Sequence, residues 1–165
     1  MRSFVKPHLV KLGLIAFTAL ATAQAVHAQD APPSPEEALQ KAVDTRQALF
    51  KVIDFNWQPV AQMMRKKAPF DAAAVQKTAA RVEALAPMIP DVFAVDTRKA
   101  TNVKTRAREG IWSNAADFKV RADDLAKAMQ ALGAAAKTGD QAATMKAAQG
   151  VGKACSGCHD NYKDK

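Results

Sequence analysis

Apolar residues recur along this chain at three- and four-residue steps, the period of an amphipathic helix, and no stretch reads as a strand. The first stripe runs through Leu39, Val43, Arg46, Phe50, Ile53, Trp57, Val60 and Met64. Ser34-Pro35-Glu36-Glu37 opens it: Ser34 caps, Pro35 takes the first helical position, and Glu37 completes a capping box. Pro59 is expected to kink this helix without ending it. Asp71 caps a second helix, with Phe70 placed to staple onto Val75 and with Thr78, Val82 and Leu85 along one face. Pro87 and Pro90 are expected to close that helix, and a long connection with room for a short helical turn follows as far as Gly110. Ser113 is the expected cap of a third helix carrying Phe118, Ala122, Leu125, Met129 and Leu132, ended by Gly139 in a left-handed conformation. Asp140 then caps a fourth, on which Met145, Ala148, Gly152, Cys155, His159 and Tyr162 are expected to share a face. Long helices joined mostly by brief turns predict an all-α, antiparallel four-helix bundle.

With 165 residues, 48% of them apolar, the chain can bury one core, which favours a single domain. Its beginning reads differently. Arg2, Lys6 and Lys11 precede an apolar run from Leu12 to Leu20, and Val26-His27-Ala28 ends in a signal-type cleavage site. The run is shorter than the roughly 20 residues of a spanning helix. Residues 1–28 therefore read as a signal peptide and 29–165 as the exported, periplasmic domain, with no membrane span after removal. Cleavage takes three of the 24 basic residues and none of the 16 acidic ones, leaving a net charge of +5. No basic helix or aromatic-basic cluster accompanies that surplus, which reads as a charge kept for solubility and argues against a nucleic-acid partner.

Cleavage also removes His8 and His27, so the exported domain holds one histidine, His159, beside the chain's two cysteines, Cys155 and Cys158. Cys155-Ser156-Gly157-Cys158-His159 is a C-x-x-C-H motif, the attachment signal for a c-type haem. Cysteines three apart on a helix lie on neighbouring sides of one face, where both sulfurs reach one porphyrin edge to form thioethers, and the adjacent His159 is the iron ligand. Three rival readings stand beside it. A thioredoxin-like pair belongs where a strand meets a helix N-terminus. A structural zinc site wants four ligands where this domain offers three. A disulfide between Cys155 and Cys158 would close a very small loop and leave His159 without a role.

The ending Cys155-Ser-Gly-Cys-His-Asp-Asn-Tyr-Lys resembles the haem-binding end of the cytochrome c′ family. Arg46-Gln47, Ala68-Pro69-Phe70-Asp71 and Ile111-Trp112-Ser113 are similar to other parts of that family's pattern, so the likeness spans nearly the whole exported chain. The resemblance implies an up-down-up-down bundle with one haem c held through Cys155 and Cys158, and a non-enzymatic role in electron transfer or in binding nitric oxide and other diatomic gases such as carbon monoxide. It implies a homodimer formed through the first two helices. It also implies that Arg46 and Gln47 lie beside the haem propionates, that Phe50 covers the distal face of the iron, and that Lys163 stands where many members carry arginine, one turn beyond His159 on the same helix face. Lysine lacks the planar fork of arginine.

The sixth iron position follows from the inventory of ligands. With His159 used, methionine is the usual remaining candidate, and the exported chain has Met63, Met64, Met88, Met129 and Met145. In an antiparallel bundle the end of the last helix lies beside Arg46 and Phe50 in the first. Met64 is then roughly 21 Å further along that helix, out of reach, and Met129 and Met145 are equally remote. Met88 is the alternative, which would make a low-spin six-coordinate electron carrier. Five-coordinate, high-spin iron under Phe50 is the expected state. A weak peroxidase is a further alternative, but its chemistry wants an acid or base above the iron, and Phe50 supplies none.

Overall fold

A computed structural model describes residues 32–100 and 102–165. The expected signal segment 1–28 and its expected cleavage after Ala28 lie outside the described residues. The chain forms α1 (Pro35–Met64), α2 (Ala72–Leu85), α3 (Met88–Val92), α4 (Gly110–Ser113), α5 (Ala115–Lys137) and α6 (Gln141–Tyr162). The four long ones, α1, α2, α5 and α6, are the expected all-α bundle, α1 packing on α2, α2 on α5 and α5 on α6.

Local signals set most helix ends. Ser34 and Glu37 form the capping box, the Ser34 amide donating to the Glu37 carboxylate at 2.7 Å and the Glu37 amide to Ser34 Oγ at 3.3 Å. Asp71 and Asp140 each accept an amide hydrogen bond at 3.0 Å, from Ala74 and Ala143. α1 runs unbroken through Pro59. Near that proline, Asn56 turns its carbonyl oxygen to α2, accepting a 3.0 Å bond from the Thr78 hydroxyl. Gly139, at φ +74°, makes the left-handed exit from α5.

The core lies between the expected faces: Val60 of α1, Val75 and Val82 of α2, Phe118, Met129 and Leu132 of α5, Ala148 and Val151 of α6 are all buried. Gly133 lets α2 and α5 close together, since a Cβ there would stand 3.3 Å from that of Ala79.

Three expectations need correction, and one holds. Pro90 does not close a helix but lies inside α3, in a first turn where a proline removes no intrahelical bond. Ser113 ends α4 instead of capping α5; Asn114 holds that position, without a side-chain bond. α6 is helical from Gln141 to Tyr162, so Met145, Ala148, Gly152, Cys155, His159 and Tyr162 do share a face, with Ala148 and Tyr162 buried. Lys163 is not on a helix face, because α6 ends at Tyr162 and Lys163 is extended, at φ −131° and ψ 131°. Its backbone forms an isolated antiparallel bridge with Ala107.

Candidate functional site

Cys155 and Cys158 sit in the last turns of α6, half-buried against the core, and are not bridged to each other. Burial pushes the Cys155 thiol up. Burial first, and then the neighbouring Cys155, push Cys158 up to about 11. A thioredoxin-like pair needs the reverse, a thiolate stabilised at a helix N-terminus; these two lie near a helix C-terminus, where the dipole opposes negative charge. Among the described residues no group of three or more His, Cys, Asp or Glu is placed to hold a metal ion, which counts against the zinc reading. The His159 imidazole is held below its ordinary value by partial removal from water and by the Lys163 and Arg106 cations, so it is neutral at physiological pH, the form that ligates metal.

Arg46, only 3% exposed, is on α1 at the stripe position expected of it. Its Nε donates to the Val92 carbonyl at 2.8 Å and Nη1 to the Thr97 hydroxyl at 2.7 Å, while Nη2 donates to the Val95 carbonyl. The guanidinium lies 4.6 Å from the Phe93 ring centre and 5.3 Å from that of Trp112. Gln47, exposed on the next position, donates to the Lys104 carbonyl at 3.1 Å. Both side chains thus hold the chain after α3, at Val92, Val95, Thr97 and Lys104. Arg46 uses three of its five N–H groups there.

Phe50 is 36% exposed and meets Phe93 edge to face at 6.3 Å. Phe93 in turn meets Phe118 at 5.0 Å, and Phe118 meets Tyr162 at 5.2 Å. Three ring contacts therefore run from Phe50 on α1 to Tyr162, three residues beyond His159. The Tyr162 hydroxyl donates to Asp117 on α5 at 2.5 Å. The sequence reading placed Tyr162 on a face but missed this bond and the part played by Phe93. The available signal was that Tyr162 is the chain's one tyrosine, and a buried phenol needs a partner. Met88 begins α3 and is 48% exposed.

The sequence model of the family Cytochrome C′ matches residues 41–163. The chain belongs to the cytochrome c′ family. Among its relatives, cytochrome c′ of Rubrivivax gelatinosus is 40% identical over 124 residues, 75% of this chain and 95% of the relative. A crystal structure of cytochrome c′ from that organism superposes with a TM-score of 0.65 at 37% identity, covering 76% of this chain and 97% of the other. Cytochrome c-556 of Rhodopseudomonas palustris is 30% identical over 159 residues, 95% of this chain and 99% of the relative. A nitric oxide complex of a cytochrome c′ mutant from Alcaligenes xylosoxidans superposes with a TM-score of 0.67 at 28% identity, covering 77% and 97%.

The cofactor of this cytochrome c′ family member is haem c, covalently attached, and Cys155 and Cys158 are the chain's only cysteines for the attachment. The residues present fit the group. Two half-buried thiols and an exposed imidazole adjoin one another on α6, and α1 and α6 barely meet. Arg46 lies beside an apolar wall of Phe93 and Trp112. No helix among the described residues is long and apolar enough to cross a membrane.

Proposed function

We propose that this chain is a periplasmic haem protein that binds nitric oxide at an iron ligated by one protein side chain, His159, and that also passes electrons. Haem c, when bound, supplies an iron centre able to change oxidation state or take a diatomic gas. Cys155 and Cys158 would hold it covalently, His159 would ligate the iron, and Arg46 with Gln47 would meet its carboxylates. Phe50 would supply an apolar cover, and Lys163 carries a positive charge near His159.

The observation that carries this reading is the distribution of ligands. His159 is the one histidine after the signal segment, and Met63 and Met145 line a cavity of about 400 Å³ with Lys66, Phe70 and Gln141, where α1 ends and α6 begins. That is the opposite end of α6 from His159. Met64 ends α1 next to Met63, and Met129 is fully buried in the core. Exposed Met88 alone keeps the low-spin alternative open. A peroxidase would need a group above the iron that moves protons, and Phe50 cannot. The nitric oxide complex of the Alcaligenes xylosoxidans relative supports the choice of gas.

Titrating the ferrous protein with nitric oxide while recording its absorption tests the reading. Stoichiometric binding, one gas molecule per chain without displacement of a methionine, is expected. A spectrum unmoved by nitric oxide would overturn it.

A further inference from the structure

The turn of α6 that carries His159 is tied down by a segment far away in sequence. An α-helix leaves its last carbonyls without intrahelical partners, and such an end frays. Here the His159 carbonyl takes the helix's own closing bond, from the Lys163 amide at 3.2 Å, and the Tyr162 carbonyl accepts from the distant Arg108 amide at 3.1 Å. The Asp160 carbonyl accepts from Arg108 Nη1 at 2.8 Å. The same guanidinium reaches Asp164 Oδ1 through Nε at 2.9 Å. Arg106 closes the arrangement, its carbonyl accepting from the Asp164 amide at 2.9 Å and its Nε donating to the Asp164 carbonyl at 2.8 Å.

We infer that Arg108 is a positioning residue for His159, clamping the final turn of α6 and thereby fixing where the imidazole stands. The inference rests on His159 being the iron ligand. The physical reason is geometric. His159 is three residues from the helix end, so its backbone would follow any fraying of that end. Arg108 grips the chain on both sides of the exit, at Asp160 and at Asp164. Its planar fork makes both contacts in one rigid geometry, which a lysine ammonium on a flexible stem does not fix. Tyr162, bonded to Asp117, pins the same turn to α5 from the core side. A clamped turn would keep the imidazole in register with a haem held through Cys155 and Cys158.

The test compares wild-type, Arg108→Ala, Arg108→Lys and Asp164→Asn as haem-loaded, reduced proteins, by amide hydrogen exchange and by the iron–histidine stretching band in resonance Raman spectra. In Arg108→Ala, exchange at residues 160–164 should accelerate about tenfold or more, with the centre of α5 unchanged, and the band should shift or broaden. Arg108→Lys should stay close to Arg108→Ala. Asp164→Asn, which removes only the ion pair, should give a smaller change in the same direction. An unchanged band despite faster local exchange would overturn the positioning role and leave Arg108 as a plain helix cap. Acceleration throughout the bundle would overturn it too. A wild-type protein with covalent haem but no iron–histidine band would overturn the His159 assignment itself, and the positioning role with it.

Discussion

Arg46 is a cation buried among neutral partners. Desolvation pulls its pKa down and Asp96 partly opposes this, yet a guanidinium remains charged, which is why the site uses arginine and not lysine. Two aromatic faces and three oxygen acceptors offset the cost of burial. Phe50, one turn on, meets Phe93 edge to face at 6.3 Å. Displacing a packed ring costs about 1–3 kcal/mol, so Phe50→Ala should strengthen carbon monoxide binding by about ten- to a hundredfold. Gas titration checks this, and an unchanged affinity would remove Phe50 from its place over the iron. Tyr162 and Asp117 give a signature in pH. Burial and the Asp117 bond push the Tyr162 phenol up to about 12 from 10.0, so stability from the neutral phenol is present below pH 10 and lost as pH rises through 12. The same bond holds Asp117 below its ordinary 3.8, so stability from that carboxylate is present above 3.8 and lost as pH falls through its lower folded value. Thermal unfolding against pH should show both losses in the wild-type protein and flatter arms in Tyr162→Phe.

At the scale of elements, two positions among the described residues have left-handed backbone: Gly139 at φ +74° and Lys66 at φ +59°. A side chain at Gly139 would meet no atom within 4 Å, so Gly139→Ala should lose only the backbone term, about 1–2 kcal/mol. Lys66→Gly should move stability the other way, by a smaller amount because glycine orders from a freer unfolded chain. Denaturant unfolding of the two variants reads both signs. Such end signals are local, which explains what the sequence made legible: the capping box at Ser34, the caps at Asp71 and Asp140, the exit at Gly139 and the haem motif all lie within a few residues. What was not legible depends on distant partners. Arg46 finds Val92, Val95 and Thr97 about fifty positions away, across a connection with no periodic pattern. Lys163 leaves the helix because its backbone pairs with Ala107, and helical periodicity carries no trace of that pairing. Ser113 looked like a cap because one helix was expected where α4 and α5 follow each other directly.

At the scale of the whole molecule, α1 presents Phe55, 73% exposed, and Val52, 46% exposed, on the first of the two helices through which the family resemblance implies pairing. Charging that face should abolish association: Phe55→Lys is expected to sediment as a monomer where wild-type sediments as a dimer, and equal masses would argue against this interface. The account as a whole stands on one claim, that Cys155, Cys158 and His159 hold a haem whose sixth position has no protein ligand. The ferric absorption and electron paramagnetic resonance spectra at neutral pH test it most directly. The expected result is a high-spin signal that Met88→Leu leaves unchanged and Phe50→Met moves toward low spin. A low-spin wild-type spectrum with a methionine–sulfur charge-transfer band, lost in Met88→Leu, would contradict it.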